Sequence, residues 1–346
     1  MKKVLLVSLA LVLAFLFVSC ANEGDGEFAV SYNGSGVGYD FLTNELIGYK
    51  NSMLQSYGLD EDIDVLWEMD SGEEGVNNAD AIKNLAIKEC AAVAFILDYN
   101  KKNSIVLSDE DKAKIEEDLK TLEDSFESHD KYVEYIGKVG FDEESMRETS
   151  EIMLLYQRGV EHITSSDGEY AVTDKAVDDY IKENFVAVKH VYINTVAEFD
   201  AELQQYVQIS AETLEKQNDK IKLIEDGLNK GDSFDMLYTF SDDGMQTAFP
   251  DGMAITYGNV ASIDYENACF SLEVGEWGRF DIADYGTYFI KRVEIPESEM
   301  ETSRESALFL LRSNVIADIW EKHEKEFKID KKYIEELDVK SLYVFE

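Results

Sequence analysis

The chain has 346 residues, 45% of them apolar and 12% aromatic. That is too rich in core-forming side chains for a disordered chain, and long enough for two domains. It carries 32 basic against 72 acidic residues, a formal net charge of −40, which makes nucleic acid and anionic lipid headgroups poor partners. Such a surface serves solubility, or the binding of basic and unfolded chains. Calcium is a weaker reading, because no D-x-D-x-D-G loop is present.

The N-terminus opens with Lys2 and Lys3, followed by an almost unbroken apolar run from Val4 to Val18. The run is too short to span a bilayer comfortably and fits the core of a signal peptide. It stops at Phe17-Val18-Ser19-Cys20. A small residue directly before a cysteine resembles a lipobox, which makes Cys20 the expected lipidation site, although Phe17 stands where leucine is usual. An ordinary secretory signal cut near Ser19 or Ala21 is the alternative. Residues 1–19 are then the signal peptide and 20–38 an acidic tether.

Helical spacing follows. Asp40–Gln55 places Phe41, Leu42, Leu46, Ile47 and Leu54 on one face, and Asn78–Lys101 does so with Ala81, Leu85, Ala86, Cys90, Val93 and Leu97. Ser108 followed by Asp-Glu-Asp is a helix start, and Asp142–His162 forms another helix. Thr173 starts a helix that runs to about Phe185. The period then changes: Val186–Asn194 is rich in β-branched residues and reads as a strand. Ser210–Asn229 reads as a helix ending at Gly231, Ser233–Phe240 as a short helix, and 241–258 as a loop. A helix over Asp264–Phe270, strands over Trp277–Phe280 and Tyr285–Val293, and a long helix over Thr302–His323 follow, with a last turn or two over Lys331–Leu337. Cys90 and Cys269 read as small buried hydrophobes, since a disulfide between them would have to join distant segments. The four histidines are scattered without zinc spacing, so no metal site is expected.

The central segment resembles the parvulin-type peptidyl-prolyl isomerases. Val188-Lys-His-Val-Tyr-Ile193 is similar to their first strand, and Gly231-Asp-Ser-Phe-Asp-Met-Leu237 to their G-x-x-F-xx-L helix start. Ser241-Asp-Asp243 is similar to a Ser-x-Asp turn. Tyr265-Glu-Asn-Ala-Cys-Phe270, with Leu272 and Val274-Gly-Glu276, is similar to the F-E-x-A-x-F-x-L-x-x-G-E run, and Asp284–Lys291 to the closing strand. Order and spacing agree over roughly Phe185–Val293. The layout around it resembles PrsA-type extracellular foldases and their periplasmic, SurA-like relatives. The resemblance implies an α+β chain: a helical chaperone-like domain (39–184), an inserted parvulin-like domain of antiparallel sheet and helices (185–296), and a C-terminal helix (297–346) that completes the helical domain. It implies no cofactor, a lipid anchor on the extracytoplasmic face of the membrane, and unfolded exported polypeptides as partners. A homodimer is compatible with it.

Carried over residue by residue, the resemblance puts His190 on the first histidine of the family's site, Asp243 on its Asp/Cys position and Tyr288 on its second histidine. Tyr288 is a departure, since a phenol donates and accepts a hydrogen bond but is no tautomerising imidazole. Ala283 stands where many members have threonine, and Pro250-Asp-Gly replaces a Gly-Gly-Asp-Leu-Gly run. Met253, Tyr257, Val260, Tyr265 and Phe270 are the expected proline-binding residues. Asn194 to Ser210 contains no Lys or Arg, so phosphorylated substrates are not expected. Activity and a chaperone role without turnover both remain open at this point.

Overall fold

The computed structural model describes residues 28–59, 61–200, 203–260 and 262–345. The expected signal peptide and Cys20 lie outside them. The protein is α+β, with antiparallel sheets. It divides into two compact units, one built from the chain up to Ala171 together with Arg312 onward, the other from Val172–Leu311. Among the described residues, no helix is long and apolar enough to cross a membrane.

The first unit is built on the helices Tyr39–Ser56, Asn78–Asn103 and Glu143–Ile163, which pair through the middle one. Side-chain caps set several of its helix starts. Asn77 accepts from the Asp80 amide, and Ser108 and Asp142 form capping boxes with Asp111 and Ser145. The core gathers Phe41, Leu42 and Leu46 with Ala86, Cys90 and Val93, and with Ile152, Ile319 and Trp67. Two further helices, Asp64–Glu68 and His129–Lys138, lie within the stretch from Tyr39 to about Ile163 that reads as helical throughout.

The expected tether overlaps this unit. Strands β1 (Val30–Tyr32) and β2 (Ser35–Val37) form a hairpin, and β1 also pairs with β9 (Lys328–Ile329). Ala29, Val30 and Val37 are fully buried, so only the part before Phe28 remains for a tether. The reason is local: Asn33 and Gly34 both take positive φ, 50° and 87°, the two-residue turn that an Asn-Gly pair favours.

Lys50 is a second anchor. Its ammonium is fully buried, 2.5 Å from the Asp62 carboxylate. It also donates to the carbonyls of Lys340 and Leu342 at 3.2 and 2.8 Å, tying the C-terminal segment to the first helix.

The second unit holds a four-stranded antiparallel sheet in the order β6 (Met253–Thr256), β3 (Phe185–Ile193), β8 (Gly286–Val293), β7 (Trp277–Ile282). Helices cover both faces, so the central strand β3 is buried almost throughout. On one face Val186, Val188, Ile255 and Ile290 pack on Tyr265, Ala268 and Cys269 of the helix Ile263–Phe270. On the other, Val191, Ile193 and Phe289 pack on Ile221, Ile224 and Leu228 of the helix Ala211–Lys230. That helix ends at Gly231 in the left-handed conformation.

This unit is wider than the expected 185–296. Val177 and Ile181 of the helix Asp174–Asn184 share a small core with Phe185, Ile295, Ala307, Leu308 and Leu311. Apolar packing therefore draws 172–184 and 297–311 out of the expected helical domain. The expected loop 241–258 also contains a turn of helix, Met245–Ala248, and the strand β6. A two-stranded hairpin, β4 (Ala197–Asp200) with β5 (Gln205–Gln208), follows β3. Cys90 and Cys269 are buried and free.

Candidate functional site

His190 lies on β3 on the face that looks toward the helix Ile263–Phe270, and is 5% exposed. Alternation along the strand puts Val186, Val188, His190 and Tyr192 on this face. The segment Ser241–Asp243 runs beside the end of the strand. The Tyr192 amide donates to Ser241 Oγ at 2.8 Å, and the Asp242 amide donates to the Tyr192 carbonyl at 2.8 Å. This pairing delivers Asp243 to the histidine: His190 Nε2 lies 2.7 Å from Asp243 Oδ2. The other carboxylate oxygen accepts from the Ser241 hydroxyl at 2.7 Å and from the Met245 amide at 3.2 Å.

The opposite ring nitrogen, His190 Nδ1, lies 2.5 Å from the Tyr265 hydroxyl. An ionised carboxylate only accepts, so Nε2 carries the proton toward Asp243, and a neutral ring then accepts the phenol proton at Nδ1. The result is a line of hydrogen bonds, Ser241–Asp243–His190–Tyr265. Burial works to raise the Asp243 carboxyl, but the hydrogen bonds from His190, Ser241 and the Met245 amide outweigh it and hold it below its ordinary value. Burial, with the neighbouring Cys269 thiol, pushes Tyr265 well up. Burial likewise pushes Cys269 up to about 12, so this thiol is no nucleophile.

Tyr288 is in the site, though not as a hydrogen-bonding partner of His190, whose two ring nitrogens are already taken. Its ring meets the imidazole edge-on at 5.3 Å, and meets Tyr265 and Tyr192 at 5.2 and 4.9 Å. The strand register explains this. Tyr288 stands opposite Tyr192, and Ile290 opposite His190, so Tyr288 approaches the histidine diagonally. Tyr265, expected among the proline-binding residues, makes the contact expected of Tyr288. No pattern in the sequence marks this exchange, since it depends on the strand register and on how the helix Ile263–Phe270 lies on β3.

The remaining expected residues converge. Met253, Val260, Phe270 and Tyr288 are half-buried against the same core as Tyr265. Tyr257 stacks on Phe270 with ring centroids 3.9 Å apart and planes at 15°, and is 57% exposed. Buried Glu266 fixes this rim by accepting from the amides of Gly258 and Val260 at 2.7 and 3.4 Å. Sequence reasoning passed over that role. Gly252 lets β6 begin here: its φ is +119°, and a Cβ would come 2.8 Å from Val293 and 3.3 Å from the Val188 carbonyl. Among the described residues, no group of three or more His, Cys, Asp or Glu side chains could hold a metal ion.

No protein-family model and no curated protein matches the chain. Solved structures similar to it include PrsA from Bacillus subtilis, with 18% identity, a TM-score of 0.26, and coverage of 72% of this chain and 88% of that one. The peptidylprolyl isomerase PrsA from Bacillus anthracis gives 16%, 0.29, 67% and 94%. Foldase protein PrsA from Streptococcus pneumoniae gives 14%, 0.32, 75% and 88%. At these identities and TM-scores, the functional reading rests on the residues of the site.

Proposed function

We propose that Val172–Leu311 is a parvulin-type peptidyl-prolyl isomerase module within a helical chaperone-like domain. The whole chain then acts as an extracytoplasmic foldase for exported polypeptides, held at the membrane by a lipid on Cys20. The observation that carries the reading is the His190 ring, bonded on one side to Asp243 and on the other to Tyr265, beside the half-buried side chains Met253, Val260, Phe270 and Tyr288.

The chemistry asked of such a site is modest. An X–Pro bond isomerises in tens to hundreds of seconds against a barrier of roughly 18–20 kcal/mol. Twisting the amide breaks its resonance and lowers its polarity, so an apolar site that grips the proline ring and excludes water favours the twisted form over the planar one. Met253, Val260, Phe270 and Tyr257 supply the apolar contact. Asp243 and His190 supply polar groups beside it, held in one orientation by their own partners. No cofactor enters.

A protease-coupled proline-peptide assay on the chain lacking residues 1–20 tests this. Turnover above the uncatalysed rate is expected, with a large loss in His190→Ala. Turnover at the uncatalysed rate would remove the isomerase and leave the second reading, a chaperone that grips extended chains without turnover. That reading is favoured by the two phenols, Tyr265 and Tyr288, which flank the single imidazole. Suppressed aggregation of an unfolded client by the same preparation would support it.

A further inference from the structure

The hairpin β4–β5 buries little and exposes much. Phe199 is 53% and Tyr206 72% exposed. The two rings nevertheless face each other across the hairpin, in register and edge-on at 5.5 Å. An aromatic pair in water on a two-stranded ribbon is poorly stabilised by its own fold. The root of the ribbon, by contrast, is fixed to the site. The Asn194 amide donates to Asp242 Oδ2 at 2.9 Å, and Asn194 Oδ1 caps the amides of Val196 and Ala197 at 3.0 and 3.1 Å. Asp242 is further held by Gln217 and Lys220 at 2.9 and 2.5 Å, and its neighbour is Asp243, the partner of His190. Burial, then the Asp242 and Asp243 charges and last the Tyr206 phenol, raise Tyr192 above its ordinary value. Tyr192 in turn packs on Tyr288.

We infer that the aromatic pair Phe199/Tyr206 is an outlying subsite of the same groove, which receives a large apolar side chain of an extended client segment whose proline sits at His190. The inference rests on the isomerase or peptide-gripping reading of that groove. His190 lies on β3 and Asn194 just past its end, four residues on, about 13 Å at ~3.3 Å per residue, and the aromatic pair lies beyond Asn194 along the ribbon. An extended client passes Asn194 after about four residues, so the selected side chain stands about four to seven positions from the proline. Charge selects the occupant. Asn194 to Ser210 has no basic residue, so a basic residue beside the apolar one is favoured. A second copy of this chain, with its own net charge of −40, is repelled.

Three fluorescent peptides test the subsite. Each has one proline and one lysine, and phenylalanine fills about positions four to seven before the proline, the same positions after it, or none, with alanine in its place. Anisotropy with the chain lacking residues 1–20 should show one phenylalanine peptide binding about tenfold more tightly than the alanine peptide, as expected for burying part of a ring. The preference should vanish in the double variant Phe199→Ser/Tyr206→Ser and persist in Tyr206→Phe, which keeps the ring. Equal binding of all three peptides to the unaltered chain overturns the inference without recourse to any variant, and so does a preference that survives the double substitution. Turnover of the alanine peptide reports separately on the isomerase reading, because its absence would leave the binding preference untouched.

Discussion

Among the described residues each unit buries one basic side chain, Lys50 in the first and His190 in the second, and the two are buried differently. Lys50 has three acceptors for its three ammonium protons: a carboxylate oxygen and two backbone carbonyls. Its donor capacity is spent, and the Trp67 ring lies 5.7 Å from the nitrogen. His190 also has both nitrogens occupied, but by side-chain groups that make a line of hydrogen bonds from Ser241 to Tyr265. Beside that line lies apolar surface that is only half covered. A saturated ion pair locks chain segments together. A line of hydrogen bonds beside half-covered apolar surface leaves that surface open, as the proposed function requires.

The contrast breaks most visibly at Lys50. Lys50→Met keeps the bulk but leaves Asp62 Oδ2 and two carbonyls without their donor, while Trp67 still donates to Asp62 Oδ1. It should cost about 3 kcal/mol of stability, read as a lower urea midpoint. Proline-peptide turnover below that midpoint should hold, because nothing in the His190 network touches Lys50. A turnover loss matching Asp243→Ala would erase the distinction.

Asp243→Ala comes next. It leaves Nε2 without an acceptor in a buried place, a cost of roughly 1–3 kcal/mol, equivalent to about five- to hundredfold in rate if that orientation is used in catalysis. The loss should appear in kcat/KM well below the urea midpoint, and the midpoint itself should fall as well, because the stranded Nε2–H and the lost carboxylate also cost stability. A smaller and sharper test separates the two phenols. Tyr265→Phe removes the donor to Nδ1, and about 1 kcal/mol with it, lowering turnover about fivefold. Tyr288→Phe keeps its ring contact and should lower turnover less. The opposite ranking would return Tyr288 to the role that the sequence suggested.

That pair also shows where sequence reading ends. The long helices were legible because spacing and caps agree, as at Ser108 and Asp142. His190, Asp243 and the apolar side chains that gather near them were legible from motif order. What was not legible was which phenol reaches the imidazole, because that depends on cross-strand register and on how the helix Ile263–Phe270 lies on β3. Strand β6 was hidden in a segment rich in Gly, Asp and Pro. The β1–β2 hairpin was missed for a different reason: its Asn33-Gly34 signal stood in a short acidic stretch read as tether. The unit boundary at Val172 depended on packing between helices far apart in sequence, which no local pattern carries.

The last test concerns carboxylates of opposite behaviour. Asp243 is held low by its donors, so its contribution to stability is present above the unfolded value near 3.9 and is lost as pH falls through the folded one. Glu45, on the first helix of the other unit, is pushed well above its ordinary value by burial and then by the Glu89 charge, and Glu89 is itself raised by burial. Above about pH 4.3 the unfolded chain releases the Glu45 proton while the folded one retains it, so stability falls as pH rises through that window. Glu45→Gln mimics the protonated acid and removes this part of the slope. Its urea midpoint should match the unaltered chain near pH 4 and exceed it increasingly toward pH 8. A gap between the two that stays constant with pH would mean that Glu45 titrates alike in the folded and unfolded states. The difference between the two units would then rest on hydrogen-bond donors at Asp243 alone, with no burial cost opposing it at Glu45.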